Sequence, residues 1–427
     1  MGWIILVLVV GLVLINVPIG FALALTAAFA MLIKNIDLLT VPLRLFNGAD
    51  NFPLLAIPLF VLTGALMNSA GISQRLINFA GALVGFIRGG LAMVNIVTSM
   101  FFAEISGSAV ADAAALGSIL IPAMRKKGYP LDFSAAVTSA SATCAIIIPP
   151  SIPMIIYAVM AETSIVKLFM AGVIPGIIAG GSMMALSYYF AVKKKWPVEE
   201  MFNLKNVWKT FKEAAWTFLI PVIIIGGIFS GIFTATEAAG VTAASALIIG
   251  IFIYRELELK SLPKIFLDAG EQTAIVMLIV AGSALLSWVL TNEMIPQRIA
   301  ANIIAMTQNK YLILMMMNLF FLFAGMFLHS AAAIIMIVPI VMPLVNMVGI
   351  DPIHFGLIVT FNLGIGQQTP PVASVLLTTC SVAKVSITEV MRVNIFFIMI
   401  ALFVLILLTY IPAISMFLPN LLIGPGP

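Results

Sequence analysis

Three stretches of this chain contain no Lys, Arg, Asp or Glu: Met1 to Ile33, the residues between Lys310 and Asp351, and Val393 to Pro427. Each exceeds the roughly 20 apolar residues with which a helix crosses a bilayer. Unbroken runs, rather than alternation of apolar and polar residues, predict an all-α polytopic membrane protein. Composition agrees, since charged residues are 9% of the 427, against about 25% in soluble proteins. Met1 to Ile15 has neither a basic leader nor a small-residue cleavage site, so it reads as a retained first span. Cys144 and Cys380 stand far apart in apolar surroundings. They suit buried small side chains and offer no support for a disulfide framework or a thiolate metal site.

The chain repeats itself. Pro122, Gly128 and Pro149-Pro150 recur 221 positions later as Pro343, Gly349 and Pro370-Pro371, and Ile72-Ser-Gln-Arg75 recurs 223 later as Ile295-Pro-Gln-Arg298. We divide it into a first repeat over 1–195, a basic cytoplasmic linker over 196–215 and a second repeat over 216–427. Each repeat reads as two spans, a third span, a short arm, a re-entrant hairpin (91–124 and 311–346), a broken span (132–160 and 353–381) and a last span. A hairpin enters and leaves on one side, so each half keeps five crossings, ten in all. Five is odd, and the halves are therefore expected to be inverted relative to each other.

The distribution of basic residues tests this, because Lys and Arg collect in cytoplasmic loops. With the N-terminus outside, 16 of the 21 bases fall inside, leaving Lys34, Arg44, Lys167, Arg298 and Lys310 outside. The reverse orientation inverts the ratio. The expectation is thus a multi-pass membrane protein with its N-terminus outside.

The hairpin tips and helix breaks are where chemistry is expected. Ala103-Glu-Ile-Ser-Gly-Ser-Ala109 and Gly325-Met-Phe-Leu-His-Ser-Ala331 place turns at membrane depth, where unpaired backbone is tolerated only beside protein, ions or water. Pro149-Pro150 and Pro370-Pro371 remove backbone donors and force the preceding residues out of helical geometry. The carbonyls of Ala145 to Ile148 and of Gly366 to Thr369 are then expected to be free. Such oxygens suit a hard cation, so two pseudosymmetric sodium sites follow, one per half. The competing reading is that paired prolines merely kink a packed helix.

No Lys or Arg lies in either hairpin interior or broken span, so an anionic substrate would meet helix N-termini, hydroxyls, amides and bound cations. Ser106, Ser108, Thr143, Ser330, Asn362, Gln367 and Gln368 are the candidate substrate-binding donors. Each also suits interhelical hydrogen bonding. Asp112, Glu104 and His329 are ionisable groups at depth, which marks them for function or for internal pairing. Thr234 and Glu237 match a capping box that starts a helix.

With Gly231-Ile-Phe-Thr-Ala-Thr-Glu-Ala-Ala-Gly240, Ile148-Pro-Pro-Ser151 and Gln368-Thr-Pro-Pro371 in place, the sequence resembles the large membrane subunit of tripartite ATP-independent periplasmic (TRAP) transporters over essentially its whole length. The resemblance implies a sodium-coupled elevator in which hairpins and broken spans move against a scaffold of the other spans and arms. It further implies a small four-helix membrane subunit, expected as a separate chain, and a periplasmic binding protein that delivers an organic acid. By matching position, one sodium site falls at Ala103, Ser106, Ala145, Ile148 and Ser151, and the other at Gly325, Gly366, Thr369 and Val372, mostly through main-chain carbonyls. Similarity looks greatest to the sialic-acid branch, with C4-dicarboxylate carriers as the competitor.

Other classes are separable. A proton-driven carrier working without a binding protein would keep the fold. A channel suits broken helices in both halves less well than alternating access does. An enzyme is disfavoured, because the chain has two histidines, no His/Glu metal-ligand spacing and no nucleophile with a nearby base.

Overall fold

The computed structural model describes residues 2–196, 198 and 201–424, and these are helical with short connections. The first half runs α1 (Gly2–Leu14), α2 (Ile19–Ile33), α3 (Thr40–Ala49), α4 (Ala56–Ser69), the arm α5 (Ile72–Val84), the hairpin α6 (Gly90–Ser106) and α7 (Ala109–Lys126), the broken span α8 (Leu131–Ala142) and α9 (Ile152–Met160), and α10 (Ile165–Lys194). The second runs α11 (Leu204–Phe229), α12 (Ala235–Ile253), α13 (Leu262–Asn292), the arm α14 (Ile295–Met306), the hairpin α15 (Lys310–Phe327) and α16 (Ser330–Met347), the broken span α17 (Pro352–Gly366) and α18 (Ser374–Ala383), then α19 (Ile387–Tyr410) and α20 (Pro412–Leu422). Eight helices among the described residues are long and apolar enough to cross a membrane.

The halves differ by one break each. At an offset of 222, α3 and α4 together cover the ground of the single helix α13, and α19 and α20 the ground of α10. The first is interrupted around Asp50-Asn51-Phe52-Pro53 and the second at Ile411-Pro412, where a proline cannot donate to the preceding turn. Sequence reading left α3 and α20 out because both are short and flanked by these breaks.

The basic linker is helical over much of its length. Residues 204–215 are the first turns of α11, and the Asn203 side chain caps them by accepting from Lys205 and Asn206 N–H groups. Low hydropathy hid this helix, whose apolar side is aromatic: Phe211 packs 5.7 Å from Phe79 of the arm α5 and 5.7 Å from Trp208, ring centre to ring centre. Pro197, Glu199 and Glu200 of the linker lie outside the described residues.

A membrane protein inverts the usual burial. Along α15, Leu312, Met315, Leu319 and Phe323 form an exposed stripe at helical spacing, suited to acyl chains. The polar groups turn inward and clamp each hairpin to its broken span. In the first half Asn95 of α6 donates to Thr138 of α8 at 2.7 Å and accepts from the Ser141 hydroxyl at 3.2 Å. In the second, Asn362 of α17 donates to Asn318 of α15 at 2.7 Å, and Asn318 donates to Thr409 at 3.0 Å. Asn95 and Asn318 are 223 positions apart and Ser141 and Asn362 221 apart, so the clamp belongs to the repeat.

Two ion pairs join the halves reciprocally. Lys34, at the end of α2, meets Glu293, just before the arm of the second half, at 3.0 Å. Glu256, beyond the end of α12, meets Arg75 in the arm of the first half at 2.6 Å, and Arg75 also lies over the Tyr254 ring.

Candidate cation and substrate site

Each broken span stops in a loop covered by its own hairpin tip. In the first half α6 ends at Ser106, the chain turns through Gly107 at φ +61°, and α7 begins at Ala109. A Cβ on Gly107 would come within 2.9 Å of the Pro150 carbonyl oxygen, so the tip rests directly on the loop. Gly64 of α4 approaches from outside, its Cβ position 3.2 Å from the Ser106 Cα. The structure thus brings Ser106 to the loop that contains Ala145, Ile148 and Ser151, with Ala103 one turn back on α6. Both proline pairs, Pro149-Pro150 and Pro370-Pro371, are joined by cis peptide bonds.

The second half makes the same arrangement with closer backbones. A Cβ on Gly366 would lie 2.5 Å from the Gly325 carbonyl carbon and 2.6 Å from its Cα. The Val372 N–H donates to the Met326 carbonyl at 3.2 Å, tying loop to tip. Gly325, Gly366, Thr369 and Val372 are therefore neighbours around one tip-to-loop contact. A buried apolar cluster, Ala109, Ala113, Ala142, Ile146 and Val375, joins the first tip and loop to the start of α18.

Fewer carbonyls are free than the prolines alone predict. Pro149 and Pro150 deny helical donors to Ala145 and Ile146, and Ile146 is compensated by the Ser151 hydroxyl at 2.6 Å. Pro370 and Pro371 do the same to Gly366 and Gln367, which accept instead from Thr369 N–H at 2.9 Å and Val375 N–H at 3.0 Å. Gln368 accepts from Asn394 at 3.0 Å. A carbonyl oxygen has two lone pairs, so these contacts orient the oxygens without using them up.

Among the candidate donors, Thr143 turns its hydroxyl back to the Ala140 carbonyl at 2.6 Å, and the Asn362 amide nitrogen is committed to the clamp and to Ile358. Their donor protons are thus taken up within the protein, while the Asn362 side-chain oxygen is buried without a partner. Gln367 and Gln368 are buried too, the Gln367 amide nitrogen has no partner, and neither end of the Gln368 amide has one. Buried unpaired amides at a loop are apt to meet a ligand or water. Ser330 is buried at the start of α16, and Ser108 is half-buried and accepts from Ser106 through its carbonyl. His329 occupies the N-cap of α16 without a capping side-chain bond, and it is exposed.

Asp112 gains a defined place that its position in the sequence did not reveal. It is fully buried in the first turn of α7, one oxygen accepts a short hydrogen bond from the Ser106 hydroxyl across the tip, and the other oxygen has no partner. The open oxygen meets no partner among the described residues. Elsewhere, Thr234 and Glu237 form the expected capping box, with bonds of 2.8 and 3.3 Å, and their role is to start α12.

Comparison with known proteins gives the family. Residues 6–414 match the family model described as "Tripartite ATP-independent periplasmic transporter, DctM component". A C4-dicarboxylate TRAP transporter large permease protein of Pseudomonas aeruginosa is 41% identical over 93% of this chain and 94% of its own length. A sialic acid TRAP transporter large permease protein of Vibrio cholerae is 40% identical over 100% of this chain and 98% of its own. An isethionate TRAP transporter permease protein of Oleidesulfovibrio alaskensis is 41% identical over 97% of this chain and 65% of its own. In fold alone, the YdaH transporter of Alcanivorax borkumensis is similar, with TM-score 0.62 and 13% identity over 89% of both chains. With the family model spanning nearly the whole sequence and relatives aligned end to end, this chain belongs to the DctM family, the large permeases of TRAP transporters.

Proposed function

We propose that the chain imports an organic acid by sodium symport, its hairpins and broken spans moving as one body against a scaffold of the remaining spans and arms. The observation that carries this is the tip-to-loop contact made once in each half, at Gly107–Pro150 and at Gly325–Gly366. At each place main-chain oxygens stand beside a break in a helix, the setting in which inverted-repeat transporters hold cations. Asp112 supplies a buried carboxyl oxygen to the first site. The second relies on carbonyls around Gly366 and Thr369.

A substrate held here meets no Lys or Arg from either hairpin interior or broken span, so Gln367, Gln368, the helix N-termini and the bound cations would receive its carboxylate. The named relatives divide between C4-dicarboxylates, isethionate and sialic acid at 40–41% identity, so identity favours the class of small organic anions over any one acid. N-acetylneuraminate remains our first choice from the sequence, and succinate its competitor. A small membrane subunit and a periplasmic binding protein complete the proposed assembly.

In proteoliposomes holding the chain, its small subunit and the loaded binding protein, exchanging external sodium for potassium at fixed pH is expected to lower uptake about tenfold or more. Uptake that survives the exchange assigns coupling to protons instead. Running the same assay with N-acetylneuraminate against succinate decides the substrate. Orientation is open to a separate test. We place the N-terminus outside, so Lys194→Cys, made with Cys144 and Cys380 replaced, is expected to react with an impermeant maleimide only from the cytoplasmic side. Labelling of intact cells from outside would reverse the topology.

A further inference from the structure

α10 and α19 begin alike. Ser164 and Ser386 cap them, each hydroxyl accepting from the N–H three residues on, at 3.2 Å from Lys167 and 3.3 Å from Glu389. Counting from these caps puts the halves in register, and the eighth residue of each helix lies against the broken-span loop of its own half. In α10 this residue is Gly172, where any Cβ would collide with the Ile147 carbonyl oxygen. In α19 it is Asn394, fully buried, whose amide donates to the Gln368 carbonyl at 3.0 Å. Ile147 and Gln368 each stand two residues before their proline pair. One contact is therefore made twice, with bare backbone in the first half and an amide donor in the second.

The donor has a specific task. In an uninterrupted helix the Gln368 carbonyl would accept from the N–H four residues on, that of Val372. Here the Val372 N–H points to the hairpin tip and donates to Met326 at 3.2 Å. A buried carbonyl left without a partner is costly, and the Asn394 amide nitrogen meets that need at Gln368, although its own side-chain oxygen is buried without a partner. We propose that Asn394 is a positioning residue for the second cation loop: by satisfying Gln368 from α19 it leaves the Val372 N–H free to hold the tip closed over the loop. Among the described residues the first loop has no side-chain donor from α10 at the matching place, its own Ser151 hydroxyl serving Ile146 instead, so the two cation loops are preset by different means. This inference rests on the sodium reading above.

The test is the sodium dependence of uptake in the reconstituted complex. Asn394→Leu, of similar size but without a donor, is expected to raise the half-saturating sodium concentration about tenfold, with the KM for the loaded binding protein unchanged. Asn394→Gln, which keeps an amide donor, is expected to restore most of the sodium affinity. If the leucine variant fails to accumulate in membranes, Asn394→Ala carries the same comparison. A donor-less variant that folds and keeps the wild-type sodium midpoint overturns the inference alone. Equal shifts in the leucine and glutamine variants also overturn it, by marking packing rather than donation. A wild-type protein indifferent to sodium overturns the coupling reading and this inference together.

Discussion

Gly366→Ala is expected to lower uptake about 10- to 100-fold while the protein still reaches the membrane. The added methyl would sit 2.5 Å from the Gly325 carbonyl carbon and 2.6 Å from its Cα. Both atoms are main chain, so no side chain can swing aside, and the tip must lift from the loop. Overpacking of this kind costs about 1–3 kcal/mol, and here it falls on the contact proposed to close over a cation. Gly364→Ala is the fitting control, because its methyl would meet the far end of the Ile146 side chain at 3.2 Å, which can yield. Initial uptake rates, normalised to solubilised yield, measure the difference. Equal activity of the two variants would remove the second tip-to-loop contact from the transport cycle.

Asp112→Asn is expected to weaken the sodium response by roughly 10- to 100-fold in half-saturating concentration, the range for setting an unsatisfied buried donor where an acceptor oxygen stood. Asparagine has nearly the shape of aspartate, so the bond from the Ser106 hydroxyl can survive the change. What changes is the other oxygen, which has no partner in the protein and would be replaced by an amide bearing protons. Protons aimed where a cation needs an oxygen repel it. Uptake titrated with sodium at saturating binding protein reads the effect. A midpoint equal to that of the wild type would make Asp112 a structural carboxyl whose work ends at the tip turn.

The prolines made the centre of this molecule legible from the sequence. Pro149-Pro150 and Pro370-Pro371 announce their breaks locally, and their constant offset exposes the repeat without any knowledge of packing. The tips were legible for a similar reason, since Ser-Gly-Ser at 106–108 interrupts an apolar run. Contacts that depend on where separate helices meet were not. Asn394 reaches Gln368 across 26 positions, and Asp112 meets Ser106 only because Gly107 adopts a left-handed turn. The start of α11 was missed because Lys205, Lys209 and Lys212 lower its hydropathy, while the aromatic side that packs on α5 recurs only every third or fourth residue.

The reciprocal ion pairs show something that neither pair shows alone. Both cations, Lys34 and Arg75, belong to the first half, and both anions, Glu256 and Glu293, to the second. All four are partly exposed, so each pair contributes about 1 kcal/mol or less. Their sorting matters more than their strength: two first halves brought together would set ammonium against guanidinium, and two second halves carboxylate against carboxylate. Charge of one sign on each duplicate penalises pairing between equivalents, and so steers every half, in a crowded bilayer, toward its unlike sister.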